Sequence, residues 1–445
     1  MDTPTLLTHL ETHAVPLTLP RGGTLRWDDA DLHKAAYTAD PEGYALLGLA
    51  PGVRPWQRAR VLLQVLAASQ AGLDDATRTT LARLARVLTL ALPPAHVITV
   101  LLGLRRLRAN HKHTTRAALR FVLEHPDADA LIAERRPALR DCFEHALGKA
   151  TARGCARRIA DGDTGSDYLQ RRLLRFLTAP HHALRRVPAL YAADPQANPQ
   201  QQAAAPREPV LAVERTPPHP GTVTATNRGD IAATLVHLYR GGPAEELYVA
   251  LDRYLADAVA GYPRFPGAVG LVLDASASMR GYGERQWALM SQAAALRMVL
   301  SRVCDRLEVV EVGGDERVPR GATDLATGVL DALAVGPDLV AVVSDGYENV
   351  FPGDLARVAA TLPHAGVTTP VLFCHAMFTR TDDLTLRRPA PALPQRGFWH
   401  QDDFDELLPW MFGHCTAGEP WLRAALHARL DALDRQAAQI GGIAA

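Results

Sequence analysis

Lysine is almost missing from this chain: Lys34, Lys112 and Lys149 are the only three in 445 residues, and arginine supplies every other basic side chain. Together with abundant alanine, glycine and proline this reads as a coding bias, so arginine richness is by itself a weak sign of phosphate binding. Cysteine is scarce and unpaired. Cys142, Cys155, Cys304, Cys374 and Cys415 are scattered, with no CxxC among them, which argues against a zinc ribbon or a disulfide framework and fits a reducing cytoplasm. Net charge is absent too: 48 basic residues balance 48 acidic ones, so no global field draws the chain to nucleic acid or membrane. No long hydrophobic run is present, since the most apolar stretch, 87–104, is broken by Pro93, Pro94 and His96. The first residues place acids and a histidine ahead of any apolar run, unlike a signal peptide. These absences predict a soluble, cytoplasmic protein with no membrane or DNA partner. GxSxG, GxxxxGK[ST] and HExxH are also lacking, which removes the usual signatures of a nucleophile elbow, a phosphate loop and a zinc protease.

What is present divides into two patterns. Residues 27–190 carry apolar positions at three- and four-residue spacing, predicting helices over 61–70, 76–92, 95–124 and 137–160. The breaks fall at Pro51-Gly52, Gly72, Pro93-Pro94, Pro126 and the Asp161–Gly165 turn. Residues 1–190 are therefore expected to form an all-α domain of HEAT-like helix pairs. Residues 191–228, rich in Pro, Gln, Ala and Thr, read as a flexible linker, followed by connecting helices in 229–266. From 267 to 415 short apolar runs alternate with helical segments. The runs 269–273, 307–312, 339–343 and 367–374 look like buried parallel strands, with a further short strand at 398–400. That alternation predicts an open α/β sheet, Rossmann-like and doubly wound, covered on both faces. Residues 416–445 are read as a C-terminal helix.

In such sheets ligands gather beyond the carboxyl ends of the strands. Three polar segments fall there: Asp274-Ala275-Ser276-Ala277-Ser278 after the first strand, Gly321-Ala322-Thr323-Asp324 opening a helix, and Ser344-Asp345-Gly346 after the strand 339–343. Two carboxylates and three hydroxyls are the oxygen donors that a hard divalent cation takes. Alone, a serine-rich loop after a strand is more often a turn or a helix cap. The separately placed Thr323 and Asp345 favour the cation.

The spacing Asp274-x-Ser276-x-Ser278, then Thr323, then Asp345, resembles the metal-ion-dependent adhesion site (MIDAS) of von Willebrand factor A-type (vWA) domains. The resemblance covers about residues 267–415. It implies a vWA fold and a site for Mg²⁺, or Mn²⁺ or Ca²⁺, built from Asp274, Ser276, Ser278, Thr323 and Asp345. It also implies a partner whose acidic residue completes the metal shell, for which an AAA+ ATPase of the MoxR class is a candidate. In one respect the sequence departs from the family: the link 313–320 is too short for the usual edge hairpin and helix.

The helical half has a second feature. Arg105, Arg108, Lys112, Arg116 and Arg120 follow spacings of three, four, four and four, which on one continuous helix would form a basic face. Residues 101–190 hold 18 basic side chains against 9 acidic ones. Such a surface would attract phosphate backbones; a solvated helix face is the alternative. A helical module preceding a vWA domain is similar in architecture to the Ro (TROVE) ribonucleoprotein family, which binds small RNAs, so RNA is a second candidate partner.

The leading expectation is thus a non-enzymatic, cation-dependent binding or adaptor protein. A Ro-like RNA-binding protein is the alternative. A Mg²⁺-dependent hydrolase comes third, because no acid or base near Asp274 is apparent from the chain.

Overall fold

The computed structural model describes residues 2–20, 22–192, 207–214, 230–379, 384 and 387–443. Most of the expected linker, 193–206 and 215–228, lies outside the described residues. The chain forms two compact units: residues 9–213 with 426–445, and residues 214–425 with 2–8.

The first unit is helical, with successive helices Ala30–Ala39, Pro41–Leu47, Pro55–Ala67, Asp75–Ala91, Pro94–Leu107, Lys112–Glu124, Ala128–Leu147, Lys149–Ala160, Asp167–Arg172 and His181–Tyr191. Local chemistry sets many of the starts. Proline stands at the first position of three of them, where its missing N–H is no loss. Asp40, Asp74 and Ser166 cap their helices by accepting from Gly43 N, Thr77 N and Leu169 N. The core is leucine and valine: Val61, Leu62, Leu63 and Val65 on one helix and Leu84, Val87 and Leu88 on the next are fully buried, each contributing roughly 1.5–3 kcal/mol. Residues 426–445 belong to this unit, where Arg83 Nε and Arg86 Nε each donate to the Asp434 carboxylate at 3.0 Å.

Two helices expected as single pieces are broken. The segment 95–124 divides because Arg108 adopts a left-handed conformation (φ 56°), closing the first helix at Leu107 before the second opens at Lys112. The segment 137–160 divides at Gly148 (φ 82°). Neither break interrupts the apolar spacing, which is why periodicity alone ran through them.

The second unit contains a five-stranded parallel sheet: β1 (Phe265–Asp274), β2 (Cys304–Val312), β3 (Leu339–Ser344), β4 (Val371–Ala376) and β5 (Gln395–Phe398), in the order β2-β1-β3-β4-β5. Alternate residues of β1 serve different layers. Val269, Leu271 and Leu273 pack with Ala295, Leu296 and Val299 of the helix Ala288–Val303 and with Leu408 and Phe412. Val272 joins Val340, Val342 and Phe373 in a second cluster with Leu325, Val329 and Leu355. Helices therefore cover both faces, as a sheet with continuous apolar strands requires. β2 differs from the expected buried strand. It ends the sheet among the described residues, and most of its side chains are exposed or half-buried. β4 starts at Val371 rather than 367, and β5 ends at Phe398 rather than spanning 398–400.

The strand order reverses at β1. The helix that follows β1 lies in one layer and the helix that follows β3, Asp354–Thr361, lies in the other. The crevice between the carboxyl ends of β1 and β3 is the switch point at which open α/β sheets accept ligands.

Candidate metal centre

Asp274 ends β1, and Ser344, followed by Asp345, ends β3; all three are buried. The Asp274 carboxylate is fixed from both sides. Its Oδ1 accepts from Ser276 N at 2.9 Å, and its Oδ2 accepts from the Ser344 hydroxyl at 2.6 Å. Ser344 Oγ in turn accepts from Gly346 N at 3.0 Å. Ser276 precedes the short helix Ala277–Arg280 but its side chain makes no capping bond. Its hydroxyl lies 3.1 Å from that of Ser278, and Ser278 hydrogen-bonds to Asp345. Asp345 Oδ1 accepts from Tyr347 N at 3.1 Å.

Thr323 reaches this loop through the backbone. Ala275 N donates to Val312 O, Arg320 N to Ala275 O, and Ala277 N to Gly321 O, at 2.9, 3.1 and 3.4 Å. The segment ending at Ala322 also approaches Gly313 (φ 85°), where a Cβ would sit 3.0 Å from Ser276 Cα and 3.1 Å from Ala322 O. Thr323 itself is fully buried, and its hydroxyl has no hydrogen-bond partner. A buried hydroxyl left in that state costs about 1–3 kcal/mol.

The electrostatics are those of a site short of positive charge. Burial pushes the Asp274 carboxyl up to about 6; hydrogen bonds from Ser344 and Ser276 oppose the rise, and the nearby Asp345 charge adds to it. Asp345 is raised as well, again by burial, against the hydrogen bonds from Tyr347 N and Ser278 and the field of Arg387. Neither carboxylate forms a salt bridge with an arginine or lysine among the described residues. Two buried acids, three hydroxyls and no nitrogen or sulfur donor make a set that suits a hard cation such as Mg²⁺ and suits a soft one poorly.

All five residues predicted from the sequence thus lie on three segments that meet at one crevice. Ser344 was missed as a participant. Its position directly before Asp345 was visible, but nothing in a linear pattern says that its hydroxyl turns to Asp274. Gly313 and Gly346 were missed for the same reason.

The five basic residues Arg105, Arg108, Lys112, Arg116 and Arg120 do not lie on one continuous helix. Arg105 closes one helix and pairs with Asp141, Arg108 is the left-handed residue beyond it, and Lys112 begins the next helix. Arg116 and Arg120 line a cavity of about 650 Å³ walled by Leu66, Ala85, Phe121 and Ile440, with Arg120 Nε 3.7 Å from Glu124. The break at Arg108 puts Arg105 on one helix and Lys112, Arg116 and Arg120 on the next, so a spacing that is in phase along the sequence does not run along one helix.

The fold and crevice define a class: a helical unit joined in sequence to a parallel α/β unit with an oxygen-lined site at its switch point. No protein-family model matches the chain, and no curated protein matches it. Among solved structures it is similar to the crystal structure of Deinococcus radiodurans RO (RSR) protein, with 15% identity over 96% of this chain and 99% of that one, at a TM-score of 0.36. A likeness of that size carries no argument about ligands or partners.

Proposed function

We propose that this chain is a non-enzymatic, divalent-cation-dependent binding protein whose α/β unit is a vWA-type domain. Ser276, Ser278 and Thr323 would hold Mg²⁺ through hydroxyls, with Asp274 and Asp345 supplying the negative charge. The ion would present an electron-poor face to an acidic residue of a protein partner, and an AAA+ ATPase of the MoxR class is the candidate that the resemblance suggests.

One observation carries the reading. The Thr323 hydroxyl is buried without a partner, on a segment tied to the loop that follows Asp274, and neither Asp274 nor Asp345 forms a salt bridge among the described residues. Hydrogen bonding within the protein leaves that hydroxyl unsatisfied and the two buried acids short of positive charge; a cation answers both.

Affinity capture with the full chain, with and without EDTA, tests it. The expected result is a protein partner that is lost both on chelation and in Asp274→Ala. A partner retained through both treatments overturns the proposal. RNA in the eluate that disappears at high salt would instead speak for the Ro-like alternative, and Mg²⁺-dependent turnover of phosphate esters that requires Asp274 would speak for a hydrolase.

A further inference from the structure

A second cluster of ligand-type side chains lies in the helical unit, unconnected with the crevice chemistry. His9 and His13 stand one helical turn apart, with His13 N bonded to His9 O at 2.9 Å. Asp29 and His33 stand one turn apart at the start of the helix Ala30–Ala39. Asp29 occupies the capping position of that helix yet makes no capping bond. Its carboxylate turns to the histidines instead. Oδ2 lies 2.8 Å from His9 Nε2, 3.4 Å from His33 Nε2 and 3.6 Å from His13 Nε2. The ligand atoms of His9, Asp29 and His33 all fall within 4.8 Å of one another, as do those of His13, Asp28 and Asp29.

Three imidazole nitrogens around one carboxylate oxygen is an arrangement that hydrogen bonding serves badly. Asp29 Oδ2 also accepts from Gln57 Nε2 at 2.9 Å, so four nitrogens compete for one atom. His33 Nε2 shares itself with Gln57 Oε1 at 2.9 Å. His13 Nε2 is buried and makes no hydrogen bond of good geometry, although Asp28 Oδ2 is 3.0 Å away. The same spacing suits a metal. Ligands about 2.0–2.2 Å from a tetrahedral ion are separated from each other by about 3.3–3.6 Å, close to the distances of His33 and His13 from Asp29 Oδ2 and inside the 4.8 Å limit that holds for His9, Asp29 and His33.

The surroundings match what supports ligating groups elsewhere. His33 Nδ1 lies 2.7 Å from the Tyr44 hydroxyl, a bond that fixes the ring and leaves Nε2 directed at the cluster. Asp29 Oδ1 forms an ion pair with Arg60 Nε at 3.0 Å, while Oδ2 faces the histidines. His33 is fully buried and Asp29 nearly so, while about a quarter of the His9 and His13 side chains is exposed, which gives an ion a way in.

We propose that His9, His33 and Asp29 bind one divalent transition-metal ion of the zinc type, with His13 turning from Asp28 to serve as fourth donor. Imidazole nitrogens with a single carboxylate select Zn²⁺ or Co²⁺ over Mg²⁺, so this site and the crevice take different ions. On loading, Gln57 yields His33 and keeps its bond to His13 O (3.4 Å). The ion pins His9 and His13 to the turn that begins the helix Ala30–Ala39.

The test uses the full chain, stripped with a chelator and titrated with Zn²⁺ and with Co²⁺ in excess Mg²⁺, which occupies any oxygen-only site. The expected result is one Zn²⁺ per chain by calorimetry and an intense visible Co²⁺ spectrum of the tetrahedral kind. His9→Gln should weaken binding at least about tenfold, while Asp274→Ala leaves it unchanged. His9 is partly exposed, so His9→Gln should keep its circular dichroism even if His33→Gln fails to fold. Failure of the unmodified chain to take up Co²⁺ at micromolar concentration, or uptake by folded His9→Gln equal to that of the unmodified chain, overturns the proposal.

Discussion

The Ser344 hydroxyl, at the end of β3, donates a 2.6 Å hydrogen bond to the Oδ2 of Asp274, at the end of β1. Two neighbouring strands are thereby joined by side chains just where the sheet opens to the crevice. Ser344→Ala removes that donor and leaves the carboxylate oriented by Ser276. A ligand that loses an orienting partner typically loses about 10–100-fold in metal affinity. Mg²⁺ titration monitored by calorimetry should therefore show at least a tenfold weaker site in Ser344→Ala, with the fold unchanged by circular dichroism. Equal affinity would mean that Asp274 is not a ligand.

Thr323 gives a prediction with two signs. Its hydroxyl is buried and without a partner, and valine has nearly the same shape without the polar atom. Replacing an unsatisfied buried hydroxyl by an apolar isostere removes a desolvation cost of about 1–3 kcal/mol. In EDTA, Thr323→Val should be as stable as the unmodified chain or more so, by about 1 kcal/mol. In Mg²⁺ the unmodified chain should melt higher than in EDTA, and the variant should lose that gain. Thermal melts in the two buffers decide it: a variant destabilised in EDTA would show that the hydroxyl already has a structural partner.

The contrast between Thr323 and Arg108 explains what the sequence could and could not disclose. Asp274, Ser276, Ser278, Thr323 and Asp345 were legible because strand ends in a parallel sheet are marked by apolar runs, and a switch point collects the residues that follow them. The helical class of residues 27–190 was legible from spacing for the same reason. The break at Arg108 was not, since a left-handed residue can be any residue whose cap bonds repay the strain, and here its N–H is taken by Leu104 O and Arg105 O. The exposed character of β2 is written in its charges: Asp305, Arg306, Glu308 and Glu311 interrupt its apolar residues, whereas β3 carries none. The His9–Asp29–His33 cluster was invisible because His9 lies on a different helix from Asp29 and His33 and meets them only through packing.

Gly346 follows Asp345 and has φ 89°, a conformation side chains rarely adopt. A Cβ there would stand 2.2 Å from Arg387 O, an impossible approach. Gly346→Ala should thus displace the loop that carries Asp345. The expected cost is about 2–4 kcal/mol by chemical denaturation, together with weaker Mg²⁺ binding. A cost under about 0.5 kcal/mol would show that the backbone after β3 relaxes freely.

His400 should make the α/β unit sensitive to alkali. It is buried beside two acids, with Nδ1 3.3 Å from Asp402 Oδ2 and Nε2 3.7 Å from Asp230 Oδ2. Burial alone would lower its pKa, but hydrogen bonds to Asp230 and Asp402 and the charges of both outweigh it and raise the imidazole to about 9. A histidine whose folded pKa lies above its unfolded value of about 6.5 binds more protons in the folded state between those limits. Its stabilisation is complete below about 6.5 and is lost as pH rises through about 9. After allowance for solvent screening the loss is on the order of 2 kcal/mol. Asp402 is about half exposed, so Asp402→Asn removes one source of the shift without burying a new charge. Urea denaturation at intervals from pH 6 to pH 10 should show stability falling across that window in the unmodified chain. The fall should end at lower pH and be smaller in Asp402→Asn. Parallel profiles for the two proteins would rule out His400 as the titrating group, whatever the total change.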